Sequence, residues 1–466
     1  MSDDGGGSGA LVLCEWEQRG PDHPLLAGRR LGGTQASRAE VRAFVDELGR
    51  SGRLNVAELA DGLSVEATSF VGSVRLGTLQ VVIRPKIQGA PFLQLLRYAY
   101  GLRELDLHPD VPLDAGTDGF QDVLGHQLAE EAQELLSRGL HRKYLPEAAW
   151  LSSPRGRIDL GRYLREAGPM RAALPCTHHP RVEDHLVNRA LLSGLTLAAR
   201  LVVDRVLRRR LASLAAQLTP TVRPVALDAS VWPALDRAGN RMTASYRPAL
   251  RLIRLLHQGH GVTLGDGTQV PLPGFLFDMN RFFQALLSRF LSEHLDGVSL
   301  RDELPLDGLM RYVPGLNPRG RHSPTPRPDF ALIDAGQVIA LLDAKYRDLW
   351  EKPLPREMLY QLAIYALSQG KGGSAVILYP ALGPLPTEAA IELRELSAGS
   401  GRARVLLRPV DLLQLAVVLK SADGRQTDST RALARAVALG AAPPKNLTRA
   451  AEAMVRPRAI EVPLIR

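Results

Sequence analysis

The sequence predicts a multidomain protein of mixed α+β / α/β class, with a β-containing N-terminal domain, a helical connector and an α/β domain towards the C-terminus. Three observations predict it. The 466 residues suffice for two or three domains at roughly 150 residues each. Strand-like alternation dominates residues 11–101, and a long stretch of helical spacing follows at residues 181–218. From Phe275 the pattern changes again, to helix, strands, helix and strands through Lys420. Apolar residues make up 45% and charged residues 23%, ordinary for a chain with a full core, so wholesale disorder and collagen-like or disulfide-stapled classes are excluded.

The elements follow in order. Residues 1–10 are Gly-rich and read as a disordered tail. In the first domain, residues 11–165, Phe70 to Gly77 and Leu79 to Lys86 read as two strands joined by a turn near Gly77, with Pro85 ending the second. Residues 91–105 and 120–138 read as helices, the latter stopped by Gly139. Residues 166–270 form the helical connector. Its long helical pattern carries Arg205, Arg208, Arg209 and Arg210, a solvated face or a phosphate-contacting one. Residues 219–240 are a Pro-rich connection and residues 261–274 a turn or hairpin. The third domain spans residues 271–420, and residues 421–466 are a basic extension with one helical stretch.

Lys and Arg number 58 against 49 Asp and Glu, a net +9 that favours polyanions, nucleic acid above all. Seven of the 58 are lysines, so each lysine position is informative. No run of about 18 apolar residues is present, so no membrane span is expected. The start Met1-Ser2-Asp3-Asp4 lacks a secretory pattern. With only Cys14 and Cys176 as cysteines, a reducing, cytoplasmic setting is expected.

Chemistry concentrates between Arg327 and Tyr379. Arg327-Pro328-Asp329 opens a strand, Asp334-Ala335-Gly336 reads as a hairpin turn, and the returning apolar strand ends in Asp343-Ala344-Lys345. Residues two apart on a strand share a face, so Asp343 and Lys345 point to one side and the preceding strand can bring Asp329 beside them. Two carboxylates suit Mg²⁺, and a nearby lysine can position water or neutralise developing charge during phosphodiester hydrolysis. Pro-Asp occurs three times in the chain, at Asp22, Asp110 and Asp329, but acid-x-Lys only once. A helix at residues 356–369 follows, with Gln361 and Tyr365 four apart on one face, and residues 375–379 supply another apolar strand.

These residues resemble the PD-(D/E)xK nuclease superfamily, in the version that carries a Gln-x-x-x-Tyr helix. The resemblance extends upstream. Phe275-Leu276-Phe277-Asp278-Met279-Asn280-Arg281-Phe282-Phe283 looks like the opening of the nuclease domain of the McrC family, the nuclease subunit of McrBC-type modification-dependent restriction systems. Leu95-Leu96-Arg97-Tyr98-Ala99-Tyr100-Gly101-Leu102 and Arg155-Gly156-Arg157-Ile158-Asp159 are similar too, and the shared order runs over most of residues 70–420. The resemblance implies a restriction-endonuclease-like α/β domain and a Mg²⁺-dependent DNA endonuclease. Asp329 and Asp343 would be the metal ligands, Lys345 the catalytic lysine, and Gln361 and Tyr365 would line the groove. It also implies a McrB-like AAA+ GTPase subunit as partner, docked by residues 11–165. No phosphate-binding Gly-x-x-x-x-Gly-Lys-Ser/Thr occurs in this chain; Gly370-Lys371-Gly372-Gly373-Ser374 has the composition without the spacing.

One position departs from the family. Where the helix after Asp-Met-Asn carries a metal-binding glutamate, this chain has Gln284, and neither Asp278 nor Glu293 stands in for it by helical position. The departure keeps open a non-catalytic activator subunit of the same complex, and the Gln-x-x-x-Tyr helix keeps open a RecB-like repair exonuclease. Cys176, His178, His179, Asp184 and His185 cluster within ten residues, but a single cysteine without paired spacing reads as a structural turn rather than a zinc site.

Overall fold

The computed structural model describes residues 10–31, 35–102, 120–166, 172–263, 269–271, 274–382, 387–395, 401–422 and 425–440. Residues 1–9 of the tail expected at 1–10, the last residues of the helix expected at 91–105, and residues 441–466 lie outside the described residues, and Ala10 already opens the first strand. The chain is a mixed α+β protein with several sheets.

The N-terminal unit is built on a four-stranded sheet ordered Ala10–Cys14, Leu79–Arg84, Phe70–Leu76 and Gly274–Asp278. The first pair is parallel and the others antiparallel. The expected hairpin at Phe70 to Lys86 is therefore present, with Gly77 at φ 63 in its turn. Leu11, Leu13, Val74, Val81 and Ile83 pack one face of the sheet against a smaller sheet that includes Leu54–Leu59 and Gly62–Ala67. The strand Gly274–Asp278 comes from beyond the connector, so this sheet takes strands from both sides of the division expected at residue 271. Gly72, at φ 130, permits the pairing, because a Cβ there would run into the carbonyl of Phe275.

The connector corrects one expectation. The long helix read over residues 181–218 is two helices, Leu186–Leu201 and Arg205–Leu218. The break has a tertiary cause. The Asp122 carboxylate, from a separate helix, accepts from the backbone N–H groups of Val203 and Asp204 at 2.7 and 3.0 Å. Asp204 then caps the second helix, accepting from Leu207 N–H at 2.6 Å. Within the arginine cluster, Arg210 pairs with Glu130 at 2.7 Å and Arg208 donates to the Val202 carbonyl at 2.8 Å, so these two serve the structure. The Pro-rich connection also contains a helix, Val231–Ala238, and Arg247–His260 follows as a strongly amphipathic helix absent from the sequence reading.

The C-terminal unit is a six-stranded sheet ordered Ser299–Asp302, Phe330–Asp334, Gln337–Ala344, Gly373–Ala381, Gly401–Asp411 and Ala389–Arg394. Its two central pairings are parallel and the others antiparallel. Both faces are covered, which explains the near-continuous apolar run before Asp343. The helix Arg356–Ser368 packs on one face through Leu362, Tyr365 and Ala366. Met279–His294 and Leu412–Ala422 pack on the other, within the core they share with the connector. Past residue 420 the chain stays in that core: Leu433, Ala434, Val437 and Ala438 of the helix Asp428–Leu439 are buried, and the buried Arg408 guanidinium donates to the Val437 and Ala438 carbonyls at 2.9 Å. Among the described residues, no helix is long and apolar enough to cross a membrane.

Candidate functional site

Local geometry gathers the acidic pair. The turn at Asp334 to Gly336 has Ala335 at φ 46 and Gly336 at φ 80, the left-handed backbone of a tight hairpin. The turn pairs Asp334 with Gln337, and a one-residue register shift between Leu332 and Ile333 then gives Phe330↔Leu342, which puts Asp329 across from Asp343 one position further on. The Oδ2 of Asp329 accepts from the Ala344 N–H at 2.7 Å, holding the carboxylate against the neighbouring strand. Lys345 shares a face with Asp343 by strand alternation. Its Nζ lies 3.0 Å from Oδ2 of Asp343 and 3.7 Å from Oδ2 of Asp329. All three sit where Gln337–Ala344 ends beside its parallel neighbour Gly373–Ala381, the carboxyl edge where ligands of parallel sheets bind.

The helix Met279–His294 approaches from the other side. Asp278 caps it, accepting from Asn280 N–H at 2.9 Å and from Arg281 N–H at 3.3 Å. Six residues on, Gln284 donates from Nε2 to Oδ1 of Asp329 at 3.3 Å. The side chain at the departing position therefore does reach the site, as a donor. On the covering helix, Gln361 Nε2 donates to the Tyr365 hydroxyl at 2.8 Å. Tyr365 is buried in the core beneath that helix, yet close enough to Lys345, Asp343 and Asp329 to feel their charges. The pair thus backs the site, with Gln361 fixing the phenol.

Electrostatics follow from burial. Desolvation, then the charge of Asp343, push the Asp329 carboxyl up to about 6. For Lys345, burial disfavours the ammonium, but Asp343 and Asp329 outweigh it and hold its pKa above the usual lysine range. Burial also raises the Tyr365 phenol. Asp343 is 1% exposed, and its Oδ1 accepts no hydrogen bond. An orphaned, buried carboxylate oxygen facing a second carboxylate is a donor set for a hard cation, so the residues fit a Mg²⁺ ion held by Asp329 and Asp343. Among the described residues, no cluster of three or more His, Cys, Asp or Glu forms a metal centre; the site offers two acids.

Sequence reasoning missed the residues that brace this edge from the N-terminal unit. Tyr346 follows Lys345 and is buried in the core, where its phenol and the carboxyl of Glu15, itself 2% exposed, are close enough to sense each other. Burial pushes Glu15 up to about 8. The Tyr346 N–H donates to Oδ1 of Asn280 at 3.1 Å, and Asn280 Nδ2 donates to Ser69 Oγ at 2.6 Å. The Arg347 guanidinium lies 5.3 Å from the centre of the Trp16 ring, and Asp348 pairs with Lys86 at 3.2 Å. Three consecutive residues after the lysine are thus gripped by Glu15, Trp16 and Lys86. The available signal was a glutamate inside the apolar run Leu11-Val12-Leu13-Cys14-Glu15-Trp16.

The histidine-rich turn serves structure. Asp184 makes two bonds to the Arg189 guanidinium, at 2.7 and 2.8 Å. His185 Nε2 lies 2.8 Å from the His141 carbonyl, and the buried Asn188 donates to the same carbonyl at 3.0 Å. Burial holds His141 and His185 below the usual histidine range.

No curated protein matches the chain. Among solved structures, it is similar to a chain of the refined half-complex from the tetradecameric assembly of Thermococcus gammatolerans McrB AAA+ hexamers with bound McrC. The TM-score is 0.53 and the identity 19%, over 86% of this chain and 95% of that one. A second similar chain, from the Thermococcus gammatolerans McrBC complex, has a TM-score of 0.42 and 19% identity over 61% of this chain and 88% of that one. At such identity the first likeness speaks for the fold alone. A sequence model matches residues 65–380, more than half the chain, and spans the sheet-completing strand, the helix with Gln284 and all five candidate site residues. On that match, the chain belongs to the family of the McrBC 5-methylcytosine restriction system component.

Proposed function

We infer that this chain is the Mg²⁺-dependent DNA endonuclease subunit of an McrBC-like restriction complex, with residues 271–420 as a PD-(D/E)xK domain. The observation that carries the reading is Lys345 Nζ at 3.0 Å from Asp343 and 3.7 Å from Asp329 at the carboxyl edge of a parallel strand pair. Family membership supports a restriction system, and the net charge of +9 supports DNA as substrate. A cytoplasmic location goes with that substrate. The structural likeness to a chain from McrB hexamers with bound McrC supports an AAA+ GTPase partner, docked through residues 11–165.

Asp329 and Asp343 would hold the metal, which when bound would polarise the phosphate and acidify water. The chain's own groups do the rest. Lys345 carries its proton at neutral pH, because the two carboxylates raise its pKa. It therefore acts by donating hydrogen bonds and positive charge to the phosphoryl oxygens or to the attacking water. The Ala344 N–H orients the Asp329 carboxylate. Tyr365, fixed by Gln361, closes the floor of the site.

The test is cleavage of closed circular modified DNA in Mg²⁺ with the partner and its nucleotide, comparing wild type with Lys345→Ala. Cutting by the wild type alone supports the reading; equal cutting by both proteins removes Lys345 from the mechanism and sinks it.

A second reading is favoured by one observation, the Gln284 amide bonded to Asp329 in place of a carboxylate. In it the chain is an activator that drives the partner NTPase without cutting, and Asp343→Ala leaves biological activity intact. A third, a RecB-like exonuclease, predicts degradation of linear DNA and sparing of closed circles.

A further inference from the structure

Between the strands Ser299–Asp302 and Phe330–Asp334 the chain makes a long excursion without helix or strand. Irregular segments of this length are uncommon inside compact domains and tend to be functional. This one has a defined base. The Leu306 N–H donates to the Pro326 carbonyl at 2.9 Å, and the Glu303 N–H donates to the Asp329 carbonyl at 3.0 Å. Asp329 is therefore both the lower rung of the arm and a member of the acidic pair.

The arm has a defined tip as well. Asn317 staples it: Nδ2 donates to the Arg321 carbonyl and Oδ1 accepts from the Arg321 N–H, both at 2.9 Å. The Gly320 N–H adds a bond to the Asn317 carbonyl at 3.1 Å. Gly308, Gly315 and Gly320 bend the chain at φ 79, 81 and 58, with open space around each. Prolines at 314, 318, 324, 326 and 328 stiffen what lies between. The segment is exposed along nearly its whole length, and the prolines and the Asn317 bonds restrict its backbone, so ordering it on a ligand costs less backbone entropy than for an unrestrained loop.

Its charge is one-sided. Residues 308–328 contain Arg311, Arg319, Arg321 and Arg327 and no Asp or Glu. All four arginines are exposed, and among the described residues none forms an ion pair. Exposed Val313 and Leu316 would suit a protein partner, but four guanidiniums over residues 308–328, where no carboxylate occurs, suit a polyanion better.

Resting on the nuclease reading, we propose that residues 308–327 are a phosphate-gripping arm that holds the backbone of duplex DNA beside the acidic site, with Arg311, Arg319 and Arg321 as contacts and Asn317 as the residue that positions the tip. The contacts are to backbone phosphate, so they fix the position of the duplex and read no sequence.

The experiment is duplex binding by the full chain, read as fluorescence anisotropy of a labelled oligonucleotide in EDTA across roughly 50 to 200 mM salt. The variants are the triple Arg311→Gln/Arg319→Gln/Arg321→Gln and the single Asn317→Ala, each checked for an unchanged melting transition. Each phosphate contact contributes about 0.9 to the slope of log affinity against log salt, so the triple variant should lose about 2 to 3 from that slope and bind at least about tenfold more weakly. Asn317→Ala keeps every charge and should weaken binding several-fold with a smaller loss of slope. A folded triple variant with wild-type slope overturns the proposal, as does a wild type that binds no duplex. Binding is read without turnover, so a wild type that binds through the arm but never cuts would count against the nuclease reading alone.

Discussion

The amide of Gln284 reaches Oδ1 of Asp329 at 3.3 Å, so the helix Met279–His294 delivers a hydrogen-bond donor, not a third acid, to the candidate metal site. Replacing it with the isosteric carboxylate tests what that means. Gln284→Glu adds a third hard oxygen ligand, and the half-saturating Mg²⁺ concentration for cleavage should fall by roughly tenfold. A metal titration of nicking activity that superimposes on the wild type would show that position 284 plays no part in metal binding.

Lys345 and the buried Asp343 form a pair whose members cannot be removed singly without cost. Lys345→Met leaves the Asp343 carboxylate buried without its counter-charge, which should destabilise the fold by about 3 kcal/mol. Adding Asp343→Asn should restore most of that loss in denaturant unfolding while cleavage stays at background. A double variant as unstable as the single one would show that the two side chains do not interact in solution.

Glu15 should set a pH dependence of stability. Its carboxyl is held at about 8 by burial, against 4.5 in an ordinary setting. Between those values the folded state keeps a proton that the unfolded chain has released, so stability falls as pH rises through the window and levels off above about 8. Glu15→Gln, neutral throughout, should flatten that decline, a difference on the order of a few kcal/mol. Thermal unfolding at about pH 5 and about pH 8 checks it. Parallel declines in both proteins would rule Glu15 out as the cause.

Gly72 guards the junction between the N-terminal and C-terminal parts. Its φ of 130 is unfavourable for any other residue, and a Cβ would displace the Phe275 carbonyl from the pairing of Gly274–Asp278 with Phe70–Leu76. Gly72→Ala should cost at least about 2 kcal/mol in denaturant unfolding. It should also lower cleavage, because Gly274–Asp278 leads directly into the helix that carries Gln284. Wild-type unfolding by this variant would mean that the strand is not paired in solution.

The sequence by itself determined what depends on local period and turn chemistry. The two-residue repeat of a strand puts Asp343 and Lys345 on one face, and the left-handed turn at Ala335 and Gly336 folds the strand that follows Asp329 back alongside them; the one-residue shift between Leu332 and Ile333 that sets Asp329 opposite Asp343 was not legible. The hairpin of residues 70–86 and the covering helix with Gln361 and Tyr365 were legible for the same reason. Tertiary structure alone decided which distant segments meet. Nothing in the spacing shows that Gln284 finds Asp329 across 45 residues, that Glu15 lies under Tyr346, or that Gly274–Asp278 completes a sheet begun at Ala10. Nor could periodicity show the break at Val202 to Asp204, since the Asp122 carboxylate that stabilises it comes from another helix. Local patterns report which face a residue occupies; the partner on the far side of that face is chosen by packing and burial, which only the folded chain specifies.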